Sequence, residues 1–172
     1  MKNVQENAVI IAHSASAWDS RSGILRTRLT GPTGPAEVVA WRASLYIAAA
    51  RLPRGTHFKL LVDIRGYNVA DVEPPVHQVQ REVIPIFLAN YHYRTGFLDF
   101  FGVKWDFGAT KEDAYCVAVA HVHNECGKMD LYRQTLGRED EGFSCRLDEA
   151  EAWIKDVPSK LSGIEGAVFP NS

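Results

Sequence analysis

The chain has 172 residues, of which 46% are hydrophobic and 23% charged, and its formal net charge is −2. That length suits one domain, and that apolar fraction is enough to build a core, so neither a second domain nor disorder is required. Acidic and basic residues are interspersed, which leaves no extended positive field of the kind that holds nucleic acid.

Residues 8–12 are apolar, a run too short for a secretory h-region or a membrane span, and a cytoplasmic protein without an integral membrane segment is expected. β-like stretches at residues 9–16 and 23–30 flank Asp19-Ser20-Arg21-Ser22-Gly23, whose turn-forming residues predict a hairpin. In the second stretch Ile24, Arg26 and Arg28 alternate with Leu25, Thr27 and Leu29, though not cleanly by polarity. Gly31-Pro32-Thr33-Gly34-Pro35 breaks the strand. Val38, Val39, Trp41, Leu45, Tyr46, Ala49 and Leu52 then recur near helical spacing until Pro53 and Gly55.

Residues 58–64, an apolar run with Asp63 near its C-terminal end, predict a buried central strand. A helix is expected from Pro74 or Pro75, with Val76, Val79, Val83, Ile84, Phe87 and Leu88 on its apolar side and a kink at Pro85. Residues 115–122 read as a second buried strand, and a short helix over 128–136 follows, which Gly137 can cap. Residues 143–147 read as the last strand. Asp148, three residues before Glu151, predicts a capping box opening a helix with Trp153 and Ile154.

The expected fold is therefore α/β: a mixed, mainly parallel sheet with an N-terminal hairpin and helices packed on it. Residues 1–172 form a single domain, with an aromatic-rich insertion over 91–113 that fits no clean element and a loosely held tail over 157–172. Cys116, Cys126 and Cys145 are too few and too widely spaced for a disulfide framework in a chain that folds on its core, and they suit a reducing compartment.

The order of elements, with Leu60-Leu61-Val62-Asp63 feeding a loop and a helix, resembles the STAS family, and more closely its SpoIIAA-like branch, which includes anti-sigma-factor antagonists. The similarity runs from about Gly23 to Ile154 and includes Val117-Ala118-Val119, Lys128-Met129, Leu131-Tyr132 and the acidic, Ala-rich stretch from Asp148 to Ile154. Phosphorylatable members carry a D-L-S-G-V-x-x-M-D-S-S-G pattern. Here the matching stretch runs from Asp63 through Gly66 and Asp71 to Pro74, and the serine pair is replaced by Val72 and Glu73. The resemblance implies a binding module without the kinase switch. Glu73 either holds in place what a phosphate holds transiently or is an ordinary helix-capping charge.

His121 and His123, with Cys126, are zinc-ligand types, yet no second pair stands nearby to complete a site, so no metal is expected. Asp63, Asp71 and Glu73, with Arg65, Tyr67 and Asn68, make a loop at a strand's C-terminal edge, where open α/β sheets place ligands. Residues 31–34 lack the G-K-[ST] ending of a phosphate loop, and no serine has nucleophile-elbow surroundings. Cys126 is reactive only if the helix after it lowers its pKa. Seven rings crowd residues 91–107, and Phe101 and Trp105 are the expected anchors if part of that surface meets a partner.

The first expectation is a non-catalytic module for a protein partner or a small apolar or anionic ligand, with no cofactor, no nucleic acid and homodimerisation as one option. Its expected contacts are Asp63, Arg65, Tyr67, Asn68, Asp71, Glu73, Phe101 and Trp105. The alternatives are a small hydrolase-type enzyme using Asp63, Asp71 or His121, and a SEC14-like lipid-binding domain.

Overall fold

The two apolar runs that read as buried strands lie side by side in the middle of one sheet, in a computed structural model that describes residues 13–67, 74–96 and 112–159. Along these residues the order is β1 (His13–Asp19), β2 (Ile24–Thr30), α1 (Pro35–Ala49), β3 (Thr56–Asp63), α2 (Pro74–Asn90), β4 (Ala114–Val122), α3 (Cys126–Leu136), β5 (Glu141–Ser144) and α4 (Leu147–Asp156). The spatial order of the strands equals their sequence order. β1 pairs with β2 antiparallel, and the remaining pairs are parallel, so the fold is α/β with a mixed, mainly parallel sheet.

Both faces of β3 and β4 are covered, which is why their sequences read as continuous apolar runs rather than alternating ones. On one face Leu25, Leu29, Phe58, Leu60, Val62 and Val119 pack against Trp41 and Leu45 of α1 and against Ile84, Phe87 and Leu88 of α2. On the other, Ile24, Leu61, Ala120 and Val122 pack against Ala150 and Ile154 of α4. α3 lies over β5 opposite α4: His121, which alternates with Ala120 and Val122, stacks on Phe143, and Phe143 meets the ring of Tyr132.

The unclean polarity of β2 has a local cause. Thr27 points inward between Leu25 and Leu29, and its hydroxyl accepts the indole N–H of Trp41 at 2.8 Å, so a polar residue occupies a core position with its hydrogen bond made. α2 begins at Pro74, as the first-turn preference of proline predicts, and continues through Pro85 to Asn90.

Several boundaries move. β1 extends to Asp19, and β5 occupies Glu141–Ser144, earlier than residues 143–147. The expected capping box at Asp148 is not formed: Arg146 is the N-cap of α4, and Asp148 in the first turn instead pairs with the Arg146 guanidinium at 2.8 Å. A one-sided cap falls on α1, where the Glu37 side chain accepts the backbone N–H of Gly34, its N-cap, at 2.8 Å. Of the aromatic segment, Tyr91 and Tyr93 are buried, while residues 97–111 lie outside the described residues. The tail from residue 160 lies outside them as well.

Candidate functional site

The C-terminal ends of β3 and β4 lie next to each other in register, Asp63 opposite Val122, and Arg65, Tyr67 and His123 follow directly from them. Asp63, the last residue of β3, is buried and has both carboxylate oxygens occupied. Arg65 donates Nε to Oδ1 at 2.9 Å and Nη2 to Oδ2 at 3.1 Å, its backbone N–H also reaches Oδ1, and Arg28 Nε reaches Oδ2 at 3.3 Å. Burial alone pushes this carboxyl upward, but the hydrogen bonds and charge of Arg65, with the charge of Arg28, outweigh it and hold the pKa below the ordinary carboxylate value. A carboxylate so committed anchors Arg65; it is not poised to take a proton from a substrate.

Beyond that ion pair the chain turns at Gly66, whose φ of 82° lies in the left-handed region that a side chain disfavours. The turn drops Tyr67 into the interior, 1% exposed. Its hydroxyl meets Nδ1 of His77, in the first turns of α2, at 2.8 Å, and the two rings are stacked. Burial, Arg81 and Lys128 push the His77 imidazole below its ordinary pKa.

At the end of β4, His123 is 3% exposed and continues the alternation of Val119 and His121, which places it on the face covered by α2 and α3. Its backbone N–H donates to Ser144, and its ring Nδ1 accepts the backbone N–H of Glu125, the N-cap of α3, at 3.1 Å. Burial and Lys128 lower its pKa against the opposing charge of Glu125. Lys128 thus acts electrostatically on His77 and His123 alike, and its ammonium lies 5.8 Å from the centroid of the Tyr132 ring.

Cys126 and Cys145 form a disulfide, which corrects the expectation from cysteine number and spacing. They are 19 residues apart in sequence, but Cys126 opens α3 just after β4 and Cys145 directly follows β5, so the parallel pairing of β4 with β5 brings their Cα atoms to 4.9 Å. The bond commits the Cys126 sulfur, which removes it both as a zinc ligand beside the histidines and as a free thiol. Cys116 is free, fully buried in β4, and burial pushes its thiol pKa strongly upward.

A second polar cluster lies beneath α3. The Glu141 side chain, fully buried at the start of β5, accepts His121 Nε2 at 3.1 Å, the Gly96 N–H at 2.8 Å and Arg138 Nη2 at 2.9 Å. Arg138 also donates to the Tyr93 hydroxyl and to the Arg94 carbonyl, so the network fastens residues 93–96 to β5. His121, which the enzyme alternative invokes, therefore already has a carboxylate partner.

Of the residues expected to form a site, Asp63 and Arg65 are brought together, and Tyr67 faces inward toward His77. Asn68, Asp71, Glu73, Phe101 and Trp105 lie outside the described residues. Sequence reasoning passed over His77, Arg28 and Glu141. His77 carried a faint signal, as a polar residue one position after Val76 in the first turns of an amphipathic helix. Arg28 and Glu141 carried none, because their partners are remote in sequence. Among the described residues no group of three or more His, Cys, Asp or Glu side chains is placed to hold a metal ion, and no helix is long and apolar enough to cross a membrane.

No family model, curated protein or solved structure matches the chain.

Proposed function

We propose that this chain is a non-catalytic binding module of the STAS-like, SpoIIAA-like type, which receives a protein partner or a small ligand at the edge where β3 and β4 end. The observation that carries this reading is the state of Asp63. Both its oxygens are bound by guanidinium groups, so the acidic residue at the ligand-binding edge of the sheet shapes the loop instead of offering a base. The order of elements supports the resemblance, with an antiparallel first pair followed by parallel strands linked through helices. Val72, at the position of the phosphorylatable serine, has no hydroxyl, so the module works without that switch.

The test begins with native mass spectrometry of gently purified protein, to identify what travels with it. The ligand or partner so found, added back to ¹⁵N-labelled protein, is expected to shift the amides of residues 63–67, 76–81 and 123–128 and to be recovered chemically unchanged. Recovery in an altered form, or shifts confined to other parts of the sheet, overturns the reading.

A further inference from the structure

The two faces of the sheet are unequally covered. α1, α2 and α3 lie on one face, and among the described residues α4 is the only helix on the other. α4 packs on β3, β4 and β5, which leaves the β1–β2 end of that face open. Ala15 pairs with Arg28 and Ala17 with Arg26, and these in turn pair with Asp63 and Leu61 of β3, so all six side chains share the open face. Ala15 and Ala17 are short and exposed, and they floor a cleft of about 170 Å³ that Leu147 and Glu151 of α4 also line. Drug-sized sites run to about 300–1,000 Å³, so this cleft suits a small molecule.

The lining has a defined chemistry. Ala15, Ala17, Leu61 and Leu147 make it apolar on one part, and two guanidinium groups with spare donors border the rest. Arg28 uses only Nε, on Asp63 at 3.3 Å, and its two terminal nitrogens make no hydrogen bond among the described residues. Arg26 has two long contacts, 3.5 Å to Asp19 and 3.7 Å to Glu151, where a committed charge-assisted bond spans about 2.7–2.9 Å. Asp19 already accepts the Ser22 hydroxyl at 2.6 Å and the Arg21 N–H at 3.0 Å. Of the two lining carboxylates, Asp63 is balanced by the bidentate Arg65, which leaves Glu151 as the opposing charge.

We infer that this cleft binds a small carboxylate with an apolar body. The carboxylate takes the terminal nitrogens of Arg28 with Arg26 beside them, and the body lies on Ala15, Ala17 and Leu61. A planar carboxylate matches the parallel N–H donors of a guanidinium, and its single charge meets less opposition from Glu151 than a phosphate dianion would. The cleft is on the face away from His77 and His123, so it goes beyond the reading of the β3–β4 edge and is tested apart from it.

Benzoate is titrated against the ¹⁵N-labelled full chain, with benzamide as its neutral isostere and sodium chloride at matched ionic strength as the control. The readouts are the amides of residues 15–17, 26–28 and 147–151 and the Arg28 side-chain Nε–H. Saturable shifts of these groups are expected with benzoate, and binding of benzamide about tenfold weaker or more. Arg28→Gln should weaken benzoate about tenfold or more and leave benzamide unchanged. Ala17→Phe, at an exposed position, should fill the floor and abolish the shifts from both, and it decides the matter even where Arg28→Gln does not fold. Equal binding of benzoate and benzamide overturns the inference. So do shifts that follow ionic strength alone, and so does undiminished benzoate binding in either variant. Benzoate shifts confined to residues 76–81 and 123–128 overturn it as well, while the binding-module reading stands.

Discussion

Lys59, on the central strand β3, reaches across to the end of α4 and donates its ammonium to the carbonyl oxygens of Ile154 at 2.8 Å and Lys155 at 3.1 Å. The side chain is on the α4 face of the sheet, and the residue is only 4% exposed. A buried ammonium needs acceptors, and the last carbonyls of a helix need donors and lie at the negative end of its dipole, so each group answers the other's requirement.

Lys59→Met keeps the length of the stem but leaves those carbonyls without their donor. A loss of about 1–3 kcal/mol is expected, the cost of unsatisfied buried polar groups. Urea unfolding measures it, and a variant as stable as the parent shows that the α4 terminus finds water instead.

Asp63 makes acid sensitivity a site property. Its folded pKa lies below the ordinary value of 3.8, so the stability it contributes is fully present above that value and is lost as pH falls through the lower folded pKa. Asp63→Asn should cost about 1–3 kcal/mol near neutrality, because Arg65 and Arg28 lose their counter-charge. It should also flatten the fall in stability below about pH 4. Parallel acid limbs for parent and variant would show that other carboxylates set the acid response.

The Cys126–Cys145 bond closes a loop whose ends are 19 residues apart. Loop-closure entropy predicts about 3 kcal/mol of stabilisation, so Cys145→Ser without reductant should match the parent with reductant. Reductant should leave the variant unchanged. Equal stabilities of parent and variant in the absence of reductant would mean that the bond is not closed in solution. Thiol trapping in living cells extends the test to the compartment: free thiols at both positions fit the cytoplasmic expectation, and a closed pair contradicts it.

A β-carbon on Gly142, in β5, would stand 2.8 Å from Cε3 and Cζ3 of Trp153, closer than van der Waals contact allows. Gly142→Ala should therefore cost about 1–3 kcal/mol in the parent and much less in a Trp153→Ala background. Equal costs in the two backgrounds place the strain in the β5 backbone rather than against the indole.

The sequence alone determined the alternation of strands and helices, because hydrophobic periodicity, prolines at helix starts and turn residues are properties of neighbours along the chain. The runs around Leu60–Asp63 and Val117–Val122 could be read as central strands since burial on both faces leaves them mostly apolar, with Asp63 at the end of one and His121 near the end of the other. β5 was misplaced because it is only four residues long and begins with a buried glutamate, which local polarity assigns to a loop. The start of α4 shifted because Arg146 holds Asp148 in an ion pair that competes with capping. What only the tertiary structure decided are contacts set by register between strands. Arg28 meets Asp63 because β2 and β3 pair in parallel, Cys126 meets Cys145 because β4 and β5 do, and His123 shares the field of Lys128 with His77 because β3 and β4 end side by side. Such pairings depend on how whole elements pack, and no window of sequence short enough to read by pattern contains both partners.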